Sequence, residues 1–510
     1  MPCLGYEPSN CDGRLTSQVS MTKIIASVLY FTGIGVCLTI IVTIAGFAVP
    51  VLFNDEGIWM QVAQTWHTYD EPPYQGTVEN KTPGIFYLFF VSHVFFGTDI
   101  WFVRAIGIAV TLATSVLLYA IGKELFDEIT ARFAMLFFGL SAAWLSLDGE
   151  FPAQTETFMI FFSVLAFFLL FHYAERPEKQ KHRMTFVIGV SMAFAIAMKQ
   201  VALFTAVAII PFLFAYSFGK KTQWICTLAV YGAGIFFGTV LSILPLLFAG
   251  VGVFDYLSGA WTILITTGGA ASLSFRLQEF TDVFVLSSFV FFYPFLAFFF
   301  LKKDFFLRKG VPVFLLLFWL GLDFFATNTS GFYFPHQLKQ LLPVCSLLAA
   351  LAVRAMLEWK LLFPFQKDEF LIFIVSALSI LWFPYQSISF FFQYDALYPV
   401  RETEILGSWL FSRTKSDERI YLVSQERNEL YAYAGRASPS KFFLPYFFGS
   451  KRVANRVVSD ITLHPPRYLI FDRHHEGFVP ASLREIQEQS YHFLFSYYYF
   501  DIFEYRGHRL

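Results

Sequence analysis

The sequence predicts a polytopic α-helical membrane protein with a small soluble α/β domain at its C-terminal end. Three observations carry this. Hydrophobic residues make up 56% of the 510-residue chain and charged residues only 15%, against roughly a quarter charged in soluble domains. Apolar runs long enough to cross a bilayer recur from residue 24 to about residue 392. Beyond about residue 394 the pattern changes to short strand-like runs alternating with helical ones.

Taken in order, residues 1–23 form a polar tail that reads as cytoplasmic. The run from Ile24 to Val49 is too long for the core of a cleaved signal and no small-residue cleavage site follows it, so it is expected to stay as an anchor. A polar first loop, 50–99, contains "NDEGIWMQVAQTWHTY", read as a juxtamembrane helix, and "GIFYLFFVSHVFFG" (84–97), which is too short to span. Further spans are expected at about 100–122, 130–147, 153–174, 184–198, 200–218, 223–249, 282–301, 311–327, 338–357 and 369–392, eleven in all with the first. The block 184–218 is interrupted only by Lys199-Gln200. As one helix its 35 residues would reach roughly 50 Å at about 1.5 Å per residue, against a hydrocarbon core of roughly 30 Å, so two helices meeting near one face are predicted. The domain organisation is therefore a membrane domain at 24–393, with a second long loop at 250–282, and an α/β domain at 394–510 containing "RIYLVS" (419–424) and "RYLIFDR" (467–473).

Charge tests the topology independently. With the N-terminus inside, the inner segments hold seventeen Lys and Arg residues, and the outer loops and outer span ends hold only Lys81, Arg104, Lys199, Arg276 and Lys339. That is a strong positive-inside bias, and the odd number of spans places the C-terminal domain outside. The five cysteines match no metal-site spacing. The composition carries no nucleic-acid footprint, and no phosphate-cradling Gly motif is present.

The five outer cations are the informative ones, because the bias says they should be rare there. They share their side with acidic groups including Asp55, Glu56, Glu79, Asp148 and Glu150. Cations at headgroup level suit the phosphate of a lipid, and a carboxylate above them suits proton abstraction from an acceptor. Lys199 lies alone in its apolar block, which is costly unless it reaches water or an anion. Each residue has a blander reading: Asp55 as a helix cap, the lysines as snorkelling side chains, and "DGEFP" (148–152) as a polar turn.

The order of these features resembles the type C glycosyltransferase superfamily, in the branch of the protein O-mannosyltransferases and the lipid A aminoarabinose transferases. The matching stretches are "FNDEG" (53–57), "NKTPGIFYLFF" (80–90), "DIWFVRAIG" (99–107), "LDGEFPAQTETFMIFFSVLAFFLL" (147–170), "GVSMAFAIAMKQ" (189–200) and "FPHQLKQLLP" (334–343). Each is weak alone; six in order on one side of the membrane are more specific. The resemblance implies a sugar on a polyprenyl phosphate as donor and inversion in one displacement onto a cell-envelope acceptor. It implies Asp55 as general base, with Asp148 or Glu150 orienting the acceptor or assisting the base. It implies Lys81, Lys199 and Arg276 on the donor phosphate, and Glu56, Tyr333, His336 and Gln340 near the donor sugar or the acceptor. Gln337 stands where the family pattern has Tyr after His, which leaves the sugar open; Tyr333 could supply an aromatic face instead. Arg104 is expected to pin the start of its span, to an acidic loop residue. The acidic cluster could hold a divalent cation, although no spacing demands one.

A transporter is the main rival from another class. Transporters place ionisable groups and broken helices at mid-membrane, often in paired repeats; here the charges collect at one face and no repeat is seen. A polysaccharide ligase or polymerase with a pyrophosphate-linked donor stays within the class. The expected setting is the cytoplasmic membrane of a prokaryote, with the site facing outward.

Overall fold

The structure is a computed structural model. It describes residues 52, 54–147, 153–173, 178–217, 221–263, 272–286, 303–329, 335–359 and 401–508. The expected spans at 24–48 and 369–392, and most of 282–301, lie outside the described residues.

The first element is α1 (Asn54–Tyr69), followed by the short apolar helix α2 (Gly84–Phe96). The bundle then runs α3 (Trp101–Leu125), α4 (Glu128–Leu147), α5 (Thr155–Tyr173), α6 (Glu178–Met198), α7 (Ala202–Ser217) and α8 (Lys221–Phe248). The apolar block at 184–218 is thus two helices, parted at Lys199-Gln200 as its length requires. A short α9 (Val253–Leu257) continues into a single π-turn at Ser258–Thr262. Then come α10 (Leu273–Leu286), α11 (Lys303–Asn328), the one-turn α12 (Pro335–Leu338) and α13 (Leu342–Trp359). Five helical stretches among the described residues are long and apolar enough to cross a membrane, in keeping with a multi-pass membrane protein.

Apolar side chains from α3 to α8, α11 and α13 make the bundle core, where Phe167 stacks on Trp319 with ring centroids 3.8 Å apart. Where α3 and α4 turn, Lys123, Arg132 and Arg354 pair with Asp127 and Glu128. Arg104, in the first turn of α3, is a helix length of about 30 Å away at about 1.5 Å per residue, so the bundle has two chemically distinct ends.

The C-terminal domain contains α14 (Arg401–Arg413), β1 (Ile420–Val423), α15 (Glu429–Ala434), α16 (Lys451–Leu463), β2 (Tyr468–Asp472), α17 (Ala481–Ser490), β3 (Tyr491–Tyr497) and β4 (Phe500–Tyr505). The sheet order is β1-β2-β4-β3. β1 and β2 are parallel, with Ile420 opposite Tyr468, and β4 runs antiparallel to both β2 and β3. β1 and β2 are buried along their whole length, as strands covered on both faces are. A second core joins this domain to α1, α2 and the start of α3: Trp59, Met60 and Tyr74 are buried in the same cluster as Leu430, Tyr431 and Phe443.

Candidate active site

The site begins at the first turn of α1. Asp55 is partly exposed there, where the partial positive charge of the helix N-terminus favours an ionised carboxylate. Its charge reaches Lys81 and the hydroxyl of Tyr446.

Lys81 lies in the loop ahead of α2, and its own neighbours hold it. Its ammonium donates to Glu79 Oε1 at 3.1 Å and to Asn80 Oδ1 at 3.0 Å, and its backbone N–H donates to Glu79 Oε2 at 2.8 Å. Tyr446, from the C-terminal domain, donates its hydroxyl to Glu79 Oε1 at 3.3 Å. Burial alone would lower the Lys81 pKa, but Glu79 first, then Asp55 and Glu156, outweigh it and raise it. The same desolvation, with Glu79 and Asp55 alongside, pushes the Tyr446 phenol well above its usual range.

The loop is fastened to the junction of α6 and α7. Thr82 Oγ1 donates to the carbonyl of Ile196 at 2.8 Å, and Gln200 Nε2 donates to the carbonyls of Asn80 at 2.6 Å and Ala260 at 2.8 Å. Gly84 allows the approach, since a Cβ there would stand 2.7 Å from the carbonyl oxygen of Ala197. Lys199 follows α6 at this junction. Its ammonium donates to Glu156 Oε1. The other oxygen of Glu156 accepts from Thr155 Oγ1 at 2.7 Å, and His336 Nε2 stands 3.9 Å from Oε1. Glu156 is buried, while the lysines and His336 keep part of their surface exposed. Segments from five parts of the chain therefore place Asp55, Glu79, Lys81, Glu156, Lys199 and His336 at one end of the bundle. Two ammonium groups, each fixed by a carboxylate, can bind an anion here, with the imidazole of His336 near Glu156 and the Asp55 carboxylate in electrostatic reach of Lys81.

The whole-chain comparisons agree with this architecture. ArnT from Cupriavidus metallidurans, solved bound to undecaprenyl phosphate, superposes with a TM-score of 0.64 at 12% identity, over 92% of this chain and 97% of that one. The archaeal oligosaccharyltransferase AglB from Archaeoglobus fulgidus, in complex with an inhibitory peptide and a dolichol-phosphate, superposes at 0.57 and 12% identity, over 95% of this chain and 75% of that one. The fold is that of the type C membrane glycosyltransferases. The family model for dolichyl-phosphate-mannose-protein mannosyltransferases matches residues 80–248, the segment from Lys81 through Lys199 to the end of α8. No curated protein matches the sequence.

Within this type C fold some expected site residues take other partners. Glu56 is fully buried and engages Arg104 twice, with Nε–Oε1 at 2.9 Å and Nη2–Oε2 at 2.5 Å. The expected contact of Glu56 with sugar or acceptor gives way to this ion pair, because both carboxylate oxygens face the guanidinium; Arg104 pins its helix to the acidic motif. Gln340 also turns inward, donating to Asp323 Oδ1 at 3.0 Å and Thr205 Oγ1 at 3.3 Å in the bundle interior. Arg276 sits partly exposed in the first turn of α10. Asp148, Glu150 and Tyr333 lie outside the described residues. No group of three or more metal-ligating side chains occurs among the described residues.

Neither Glu156 nor Tyr446 was expected at the site from the sequence, and Glu79 was expected only as an acid on the same side. Glu156 was detectable: an acid in the first turn of an apolar helix is as costly as Lys199 and invites the same search for a partner. Glu79, two residues from Lys81, was visible as an acid but not as its clamp. Tyr446, within an aromatic run, gives no sequence signal at all.

Proposed function

We propose that the protein transfers a hexosyl or pentosyl unit, with inversion, from a polyprenyl-phosphate-linked donor to a cell-envelope acceptor at the outer face of the cytoplasmic membrane. One observation carries the reading: Lys81 and Lys199, 118 positions apart, are fastened to one spot through Gln200 and Thr82, with Asp55 in electrostatic reach. In this reading the two ammonium groups hold the donor phosphate and take up the charge that develops as it leaves. Preorganised charge of this kind is usually the largest catalytic contribution. Glu156 and Glu79 aim the lysines, and His336 adds a further donor. Asp55 removes the proton from the attacking hydroxyl or amine. The lipid-phosphate ligands of ArnT and AglB support the donor class, and the paired cations at the opposite bundle end support an outward site.

The test is transfer of labelled sugar from a polyprenyl phosphate by the full-length protein in detergent. Asp55→Asn is expected to lower kcat by about 10²–10⁴-fold with donor binding retained, the range for a lost general base. Lys199→Ala should weaken donor binding more than acceptor binding. Equal donor affinity in Lys199→Ala and wild type would remove the phosphate role.

A further inference from the structure

The helix that carries Asp55 is held from the side of the C-terminal domain. Gly57, two residues after Asp55, abuts the backbone of Glu429: a Cβ at Gly57 would lie 2.5 Å from Glu429 Cα. Just before α1, the Leu52 N–H donates to the hydroxyl of Tyr433 at 2.9 Å. One turn after Gly57, Gln61 Nε2 donates to the carbonyl of Arg436 at 3.2 Å. These partners belong to α15 or immediately follow it. The helix ends at Gly435 in the left-handed region, φ +61°, the usual glycine-favoured exit that redirects the chain. On its other side, α1 is tied through Glu56 to Arg104 of α3. The opening turns of α1 are thus clamped between the membrane bundle and α15.

Glu429 is the unusual member of the clamp. It is 5% exposed, and its Oε2 accepts no hydrogen bond. Arg427 and the Thr403 hydroxyl favour its ionised form, and Asp472 opposes it. Glu404 of α14 and Glu56 of α1 add negative potential around the neighbouring Tyr433. Burial is the largest influence and pushes the Glu429 carboxyl up to about 7.

We propose that α15 is a positioning element of the transfer site, in which Tyr433 and Glu429 fix the place of the Asp55 carboxylate by seating α1. The proposal rests on the role given above to Asp55. The clamp is tightest when Glu429 carries its proton, because an ionised buried carboxylate with an unsatisfied oxygen draws water to the start of α15, the turn whose backbone meets Gly57. The sign follows from linkage: the carboxyl has its folded-state value raised from 4.5 to about 7, so its stabilising contribution is complete below the unfolded value and is lost as pH rises through about 7.

Two readouts on the full-length protein test this. In the transfer assay, Tyr433→Phe should lower kcat about tenfold with the donor KM within about twofold, a modest case of the loss caused by misplacing a reacting group. Glu429→Gln should remove the part of the kcat profile that declines through about pH 7 in the wild type. Hydrogen exchange needs no turnover: protection of the amides of residues 52–61, corrected for intrinsic rates, should fall between pH 6 and pH 8 in wild type and stay level in Glu429→Gln. Wild-type kcat in Tyr433→Phe, or the same loss of protection in Glu429→Gln as in wild type, would overturn the proposal. A wild-type protein that transfers no sugar sinks the role of Asp55 instead, and the exchange result still decides whether α15 clamps α1.

Discussion

Lys81 and Lys199 each meet a carboxylate of their own chain, and this shapes what they do. Glu79 and Asp55 hold Lys81 protonated above its ordinary range, so its charge is constant through neutral pH and it does not titrate there. The cations were legible in the sequence because an isolated lysine beside apolar runs demands an explanation. Their partners were less legible, since Glu156 reaches Lys199 only through the folding of α5 against α6; Arg104, by contrast, meets an acidic-loop partner of the kind expected for it, Glu56. Both members of that pair are fully buried. Losing one partner breaks a buried, doubly hydrogen-bonded charge pair, so Glu56→Ala is expected to cost about 3–5 kcal/mol, seen as a large drop in thermal midpoint in detergent. The double replacement Glu56→Leu with Arg104→Leu should recover much of that loss. A Glu56→Ala protein that melts with wild type would show that water or another group already compensates Arg104.

At the scale of elements, the site depends on how closely the loop before α2 approaches the junction of α6 and α7. The split of the apolar block at Lys199-Gln200 could be derived from length alone. The approach could not, because it depends on Gly84 lacking a side chain and on Thr82 and Gln200 finding backbone carbonyls in another element. A valine at position 84 would carry its Cβ to 2.7 Å from the Ala197 oxygen and 2.8 Å from Met198 Sδ, closer than real contacts allow. Gly84→Val should therefore move Lys81 away from Lys199 and raise the donor KM at least tenfold. Thr82→Val, which loses only the bond to Ile196, should cost about 1 kcal/mol of stability and change donor binding less. If Gly84→Val binds donor like wild type, the two lysines do not act together on one phosphate.

At the scale of the whole molecule, the change of composition near residue 394 suggested two domains, and the strand–helix pattern beyond it gave the α/β character. The continuity of the core between them was invisible, because buried residues of α1 such as Trp59, Met60 and Ala63 read as one apolar helix face with no named partner. That face is completed by Leu430, Tyr431 and Ala434 of α15. Backbone pairing adds to it, with the Val78 N–H donating to the carbonyl of Lys441 at 2.8 Å. Arg419 bridges to Glu71 as well, but both side chains are partly exposed, and such pairs contribute little. The apolar contact should thus dominate. A protein truncated after residue 400 would expose the α15-facing side of α1 and strand the Leu52 and Val78 amides. It is expected to aggregate in mild detergent and to lose donor binding as well as transfer, whereas Arg419→Ala should leave both within about twofold of wild type. A truncated protein that stays monodisperse and binds donor normally would mean that α1 is seated by the bundle alone, and that the C-terminal domain sits on the site without building it.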